Sequence, residues 1–243
     1  MARLAFRKSP SEYDETFMET MASEYLRQTP WTQLRLRALV NLVEPAPGDR
    51  IVDLGCAAGA LTHFFSQFGA TVIGIDSEAA AVAKARSLFP DLEFLEADVA
   101  QLPLTDHSID KAVAGDLVEH LDGPTFRAML AELRRVLVPG GSLSIYTPNP
   151  RHLIERLKAR NLILAQNPTH IGLRTSAELV AILEETGFVV GRAGWTASFF
   201  RGLRTLEQVL GRYFQTFRYR LCIAARTRAD SSPPGRSATD SGR

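Results

Sequence analysis

Residues 51–60 read IVDLGCAAGA: four residues suited to a buried strand run into a turn built almost wholly of Gly and Ala. Asp53 stands just before the first glycine, and Ala57 interrupts the spacing of Gly55 and Gly59. A strand, a bare turn and a helix, in that order, let a ligand lie against the main chain and meet free N–H groups. A carboxylate at the mouth of that turn repels phosphate and attracts an ammonium group.

Working outward, short apolar runs at 50–54, 71–76, 92–97, 111–115 and 142–147 alternate with helical spacing at 60–68, 77–89 and 125–138. Units of this length predict an α/β fold with a parallel sheet and helices on both faces. Pro139-Gly140-Gly141 reads as a helix stop followed by a tight turn. Further on, 176–186 reads as a helix with Thr175 as N-cap and Gly187 closing it, before strands at 188–194 and 221–227. Helical spacing over 13–42 precedes the core, and the Ser/Pro/Gly/Arg-rich stretch from Arg228 has no apolar period and reads as a disordered tail.

Composition narrows the function classes. The chain has 243 residues, 45% hydrophobic and 23% charged, with net charge +1, so no basic excess announces a nucleic-acid partner. Two cysteines, Cys56 and Cys222, make no disulfide framework and suit a reduced, cytoplasmic setting. The N-terminal stretch lacks the features of a signal peptide, and no apolar run is long enough to span a membrane.

Two more acids close strands in the same manner: Asp76 ends TVIGID and Asp98 ends LEFLEAD. At a neighbouring strand tip, Asp76 suits both ribose hydroxyls of a nucleoside, and Asp98 suits an adenine amino group. Nothing basic is expected near this loop, which disfavours a dinucleotide pyrophosphate. An amino acid joined to adenosine fits three successive carboxylates, and S-adenosylmethionine is that ligand.

VDLGCAAGALT, VIGIDSE, EFLEADVAQLPLTDHSIDKAVAGDLVEHL and ELRRVLVPGGSLSIYTPNP resemble, in order, the motifs of class I S-adenosylmethionine-dependent methyltransferases. The resemblance covers roughly residues 40–190 and is greatest to the small-molecule group that includes ubiquinone-biosynthesis O-methyltransferases. It implies a Rossmann-like, mostly parallel seven-stranded sheet with the last strand antiparallel. It also implies that Asp53, Gly55, Cys56 and Gly59 line the methionine end of the cofactor, Asp76 and Ser77 the ribose, and Asp98 with Val99 the adenine. Gly115 would approach the sulfonium through its backbone. The implied organisation is an N-terminal helical lid over 1–42, a methyltransferase domain over 43–227 with a helical insertion at 198–220, and a tail over 228–243.

GDLVEHL places Asp116, Glu119 and His120 at helical spacing, on one face of a helix beside the expected acceptor. The spacing is similar to the Glu-x-x-Glu-His metal motif of certain O-methyltransferases, with Asp116 in place of the first Glu and His170 as a further ligand. A divalent metal such as Mg at Asp116, Glu119, His120 and His170 would lower the pKa of an acceptor hydroxyl. Without one, His120 or His170 serves as general base. Asp116 as a mere helix cap is the plainer alternative.

Between Ser198 and Arg220, Phe199, Leu203, Leu206, Leu210, Phe214 and Phe217 form a helical stripe, and five arginines accompany a single Glu207. The stripe is expected either to roof the acceptor pocket or to lie on an anionic membrane, making the protein peripheral. The function expected is methyl transfer to oxygen of a small, hydrophobic molecule. The alternatives are a metal-dependent RNA 2′-O-methyltransferase and a pseudo-enzyme that binds the cofactor without transfer. A nucleic-acid partner is disfavoured, and the oligomeric state is open.

Overall fold

The computed structural model describes residues 23–25, 27, 29–160, 162 and 167–228. The early part of the helical reading over 13–42 and nearly all of the tail expected from 228 lie outside the described residues. A seven-stranded sheet in the order β3-β2-β1-β4-β5-β7-β6 forms the centre. Its strands are β1 (Arg50–Leu54), β2 (Thr71–Asp76), β3 (Glu93–Glu96), β4 (Ile109–Gly115), β5 (Leu137–Pro148), β6 (Phe188–Thr196) and β7 (Arg220–Thr227). Strands β1 to β5 pair in parallel, and β7 runs antiparallel to both β5 and β6, as the resemblance implied.

Alternation along the strands splits the core into two layers. Val52, Leu54, Ala112, Ala114, Leu143 and Ile145 face α4 (Gly123–Val136) and α6 (Ser176–Glu185). Ile51, Val113 and Tyr146 face the other way, against α1 (Pro30–Val43) and α2 (Ala60–Ser66). α3 (Ala79–Leu88) covers β3 through Val82, Ala85 and Phe94. Each fully buried Leu or Phe in these layers contributes about 1.5–3 kcal/mol by area removed from water.

Local chemistry starts the helices where the sequence signals them. The Asp122 carboxylate accepts from the Thr125 N–H at 2.8 Å to open α4, and Thr175 with Glu178 forms a reciprocal capping box on α6. Pro139-Gly140-Gly141 does not make the tight turn expected of it. α4 ends at Val136, the chain enters β5 directly, and the three residues form an excursion within that strand. Pairing with β4 jumps there from Ile109–Leu137 to Lys111–Ser142, and Gly140 takes φ +78°.

Two further α-helices among the described residues are α5 (Leu153–Lys158) after β5 and α7 (Arg201–Leu210) between β6 and β7. The insertion predicted as one helix is α7 followed by a separate 3-10 turn, Gln215–Phe217. No helix among the described residues is long and apolar enough to cross a membrane. Strand order reverses between β1 and β4, and such a switch point opens a crevice beyond the carboxyl ends of the strands.

Candidate active site

The opening loop spans that crevice. The N–H groups of Gly55 and Cys56 both donate to the Ile75 carbonyl, at 2.8 and 3.0 Å, which ties the loop to β2. Gly59 sits at φ +78°, where a Cβ would stand 2.6 Å from the Phe94 ring, so only glycine fits. Ala57, the departure from the glycine spacing, also takes a left-handed φ of +48°, at a cost of about 1 kcal/mol. Its N–H donates to Asp76 Oδ2 at 2.8 Å, which helps to hold it there.

Asp53 is buried, 1% exposed, and accepts from Thr62 Oγ1 at 2.7 Å. Burial pushes its pKa up to about 7, against the Thr62 hydrogen bond and the Arg35 charge. Arg35 corrects the expectation that nothing near the loop is basic: α1 brings it there from far along the chain. Its guanidinium is committed, however, with Nη2 donating to the Gly115 carbonyl at 3.0 Å and Nε 2.7 Å from Asp116 Oδ2. The Cys56 thiol is buried, and burial together with the nearby Asp53 and Asp76 carboxylates holds it in the neutral form.

Asp76 is half-buried and also accepts from the Glu78 N–H at 3.0 Å, while Ser77 beside it is exposed. Asp98 is exposed and accepts from the Ala100 N–H at 2.8 Å, with Val99 buried next to it. Three carboxylates thus stand at successive strand ends, and the ion pairs found among the described residues do not include them. That donor set fits a ligand with an ammonium group, ribose hydroxyls and an adenine amine.

Beyond β4 the structure departs from the predicted helix. Asp116 takes φ +59°, and only Val118–His120 wind into a single 3-10 turn, so Asp116, Glu119 and His120 do not share a helix face. Nor does Asp116 cap the turn, whose N-cap is Leu117. Its carboxylate lies between two guanidiniums, Arg35 at 2.7 Å and Arg220 Nη1 at 2.8 Å. Burial alone would raise the Asp116 pKa, but Arg220 and Arg35 together bring it below the usual carboxylate range. The Tyr146 ring packs beneath both arginines.

Glu119, His120 and His170 do meet: their ligand atoms lie within 4.8 Å of one another. The segment before α6 brings this about. Arg174 donates to the Val118 and Leu121 carbonyls at 2.8 and 2.9 Å, and the Gly172 N–H donates to the Glu119 carbonyl at 2.8 Å. The His120 and His170 rings then stand edge to face, centroids 4.9 Å apart. Glu119 is 1% exposed, accepts from Thr147 Oγ1 at 2.9 Å, and is pushed up to about 8 by burial and by Asp116.

Burial lowers the His120 pKa against a hydrogen bond to the Thr169 backbone, and lowers that of His170 to about 4 with help from His120. His170 Nδ1 is buried without a hydrogen-bond partner. One carboxylate and two neutral imidazoles, one of them unpartnered, fit a divalent metal. Asp116 stands outside that group.

Residues 51–141 match the family described as "Methyltransferase domain". A probable S-adenosylmethionine-dependent methyltransferase of Mycolicibacterium smegmatis is 34% identical over 151 residues, covering 62% of this chain and 56% of the relative. Residues 51–141 thus carry a methyltransferase domain, similar to that of S-adenosylmethionine-dependent enzymes. The demethylmenaquinone methyltransferase of Renibacterium salmoninarum is 26% identical over 150 residues, covering 60% of this chain and 62% of the relative. The chain therefore spans a little over half the length of these curated relatives. A SAM dependent methyltransferase from Archaeoglobus fulgidus shares the fold, with TM-score 0.66, 19% identity, and coverage of 86% of this chain and 99% of that one.

Several residues of the methyltransferase domain's crevice carry no local sequence signal. Thr62 and Thr147 are ordinary helix and strand positions until their hydroxyls are seen on Asp53 and Glu119. Arg35 and Arg220 reach Asp116 only through the tertiary fold. His152, left without a role by its sequence context, bonds Glu207 at 2.9 Å, both buried.

Proposed function

We propose that the chain transfers a methyl group from S-adenosylmethionine to an oxygen of a small, hydrophobic acceptor. The observation that carries this reading is the meeting of Glu119, His120 and His170 at the end of β4, beside the strand that opens the cofactor loop. In this reading Asp53 holds the ammonium group, Asp76 the ribose hydroxyls, and Asp98 with Val99 the adenine. The cofactor supplies a methyl group already activated on a sulfonium, so the chain's task is to position the acceptor and take its proton.

A neutral imidazole suits that proton transfer, and burial keeps His120 and His170 neutral at physiological pH. Glu119, His120 and His170 are also the residues that would hold a divalent metal. Bound there, a metal would acidify and orient an acceptor hydroxyl. Two imidazoles with one carboxylate suit a borderline ion such as Co or Zn better than Mg, which prefers all-oxygen ligands. The likeness to a demethylmenaquinone methyltransferase supports a small hydrophobic acceptor.

The metal reading is tested by titrating Co and Zn into the chelator-treated protein by calorimetry. Tight binding that Glu119→Gln and His170→Ala each weaken at least about tenfold is the expected result. Unchanged binding in both variants removes the metal and leaves the imidazoles as bases.

A further inference from the structure

The insertion between β6 and β7 turns an apolar surface outward. Phe200, Leu206, Val209, Tyr213 and Phe214 are 48%, 47%, 57%, 76% and 57% exposed. Leu203 and Leu210, of the same sequence stripe, are half-buried on the inner side of α7. The stripe therefore does not pack as one face, and its outer members have no cover among the described residues.

Charge is sorted in the same sense. Glu207, the sole acid between Ser198 and Arg220, is fully buried, bonded to His152 and accepting from the Ser198 N–H. On neighbouring α5, Glu155 is buried and paired with Lys158 at 2.8 Å. Arg151, Arg156 and Arg212 are exposed. Arg151 and Arg156 line an open cavity of about 430 Å³, with Gln215 and Thr216 of the turn after α7 on its other side. Arg151 Nη1 donates to Gln215 Oε1 at 2.9 Å, which holds one guanidinium at the rim.

We infer that α7 and the turn after it dock on an anionic lipid bilayer. The exposed apolar side chains enter the boundary between headgroups and acyl chains, and the arginines meet lipid phosphates around the cavity. A second copy of the chain is a poor occupant, because facing two such surfaces would set arginines against arginines. Docked this way, α7 lies near the end of β5, whose Thr147 bonds Glu119, so a lipid-dissolved molecule would have a short path to the crevice.

The test is co-sedimentation of the full chain with vesicles of phosphatidylcholine alone, or with a third of the lipid as phosphatidylglycerol. The expected result is binding to the anionic vesicles, reversed by salt. Each of Arg151→Gln, Arg156→Gln and Arg212→Gln is expected to weaken it about fivefold. Leu206→Ser with Val209→Ser and Tyr213→Ser is expected to abolish it while the thermal midpoint, followed by circular dichroism, is kept. The inference is overturned by no sedimentation, by equal binding to both vesicles, or by variants that bind like the parent. It is equally overturned if ultracentrifugation finds a dimer that the serine variant splits.

Discussion

Arg35 of α1 and Asp116 at the end of β4 form a close ion pair, Nε to Oδ2 2.7 Å, with side chains 9% and 25% exposed. The same guanidinium donates to the Gly115 carbonyl, so one side chain fixes both the last residue of β4 and the one after it. This pairing ties the helix before the sheet to the crevice. It also explains why Asp116 stands apart from Glu119 and His120, since Arg35 and Arg220 between them hold both of its oxygens.

Arg35→Ala deletes one of the two guanidiniums that hold Asp116, together with the donor to the Gly115 carbonyl, while Arg220 stays paired. The substitution is expected to lower the unfolding free energy by about 2 kcal/mol. Arg35→Lys should recover only part, because an ammonium cannot make the Nε and Nη2 contacts together. Urea denaturation measures both, and an alanine variant with an unchanged midpoint contradicts this account of the pair.

Asp53 gives a pH signature. Its pKa rises from about 3.8 in the unfolded chain to about 7 in the fold, so the folded state holds the proton longer. This group's contribution to stability is full below about 4 and is lost as pH rises through 7. Cofactor affinity should run the other way, rising up to about tenfold per pH unit below 7 as the carboxylate proposed to hold the ammonium forms. Calorimetry between pH 5.5 and 8 is the measurement. Asp53→Asn should flatten the curve, and a parent whose affinity is level across that range refutes the role given to Asp53.

Asp76 both shapes the loop, through the Ala57 and Glu78 N–H groups, and is the proposed ribose acceptor. Asp76→Ala should weaken cofactor binding by about 2–3 kcal/mol, the usual loss for hydrogen bonds to a charged group. Methylthioadenosine, which keeps the ribose and lacks the amino acid, should lose as much. If binding of both ligands is unaffected, the ribose lies elsewhere.

Thr147 Oγ1 donates to Glu119 Oε2 and so fixes the orientation of that carboxyl group. Thr147→Val keeps the shape and deletes the hydroxyl, and is expected to lower metal affinity about tenfold. Thr147→Ser should restore it. A serine variant as impaired as the valine one would point to packing instead.

Much of the sheet is legible in the sequence because its inner strands are short, largely apolar runs set between helical stretches. The ends of β1 and β2 fall where the sequence places them. The Pro139-Gly140-Gly141 excursion misleads, since the same residues that stop a helix also kink a strand, and only pairing with β4 decides. Asp116 misleads for another reason. Its place in GDLVEHL suggests a helix, but the residue stands in a left-handed turn, paired with two arginines distant in sequence. His170 could be singled out in sequence, whereas its approach to His120 depends on Arg174 and Gly172 clamping the turn, which no spacing rule contains.

The most direct test of the account follows the methyl group itself. The full chain is incubated with methyl-labelled S-adenosylmethionine and a cell extract, with and without chelator, and the products are separated. The account predicts label in a small molecule that partitions into organic solvent, resists nuclease and protease, and is not formed by Asp76→Ala or by the paired His120→Ala, His170→Ala variant. Label found in RNA, or no transfer by a protein that binds the cofactor, would contradict it.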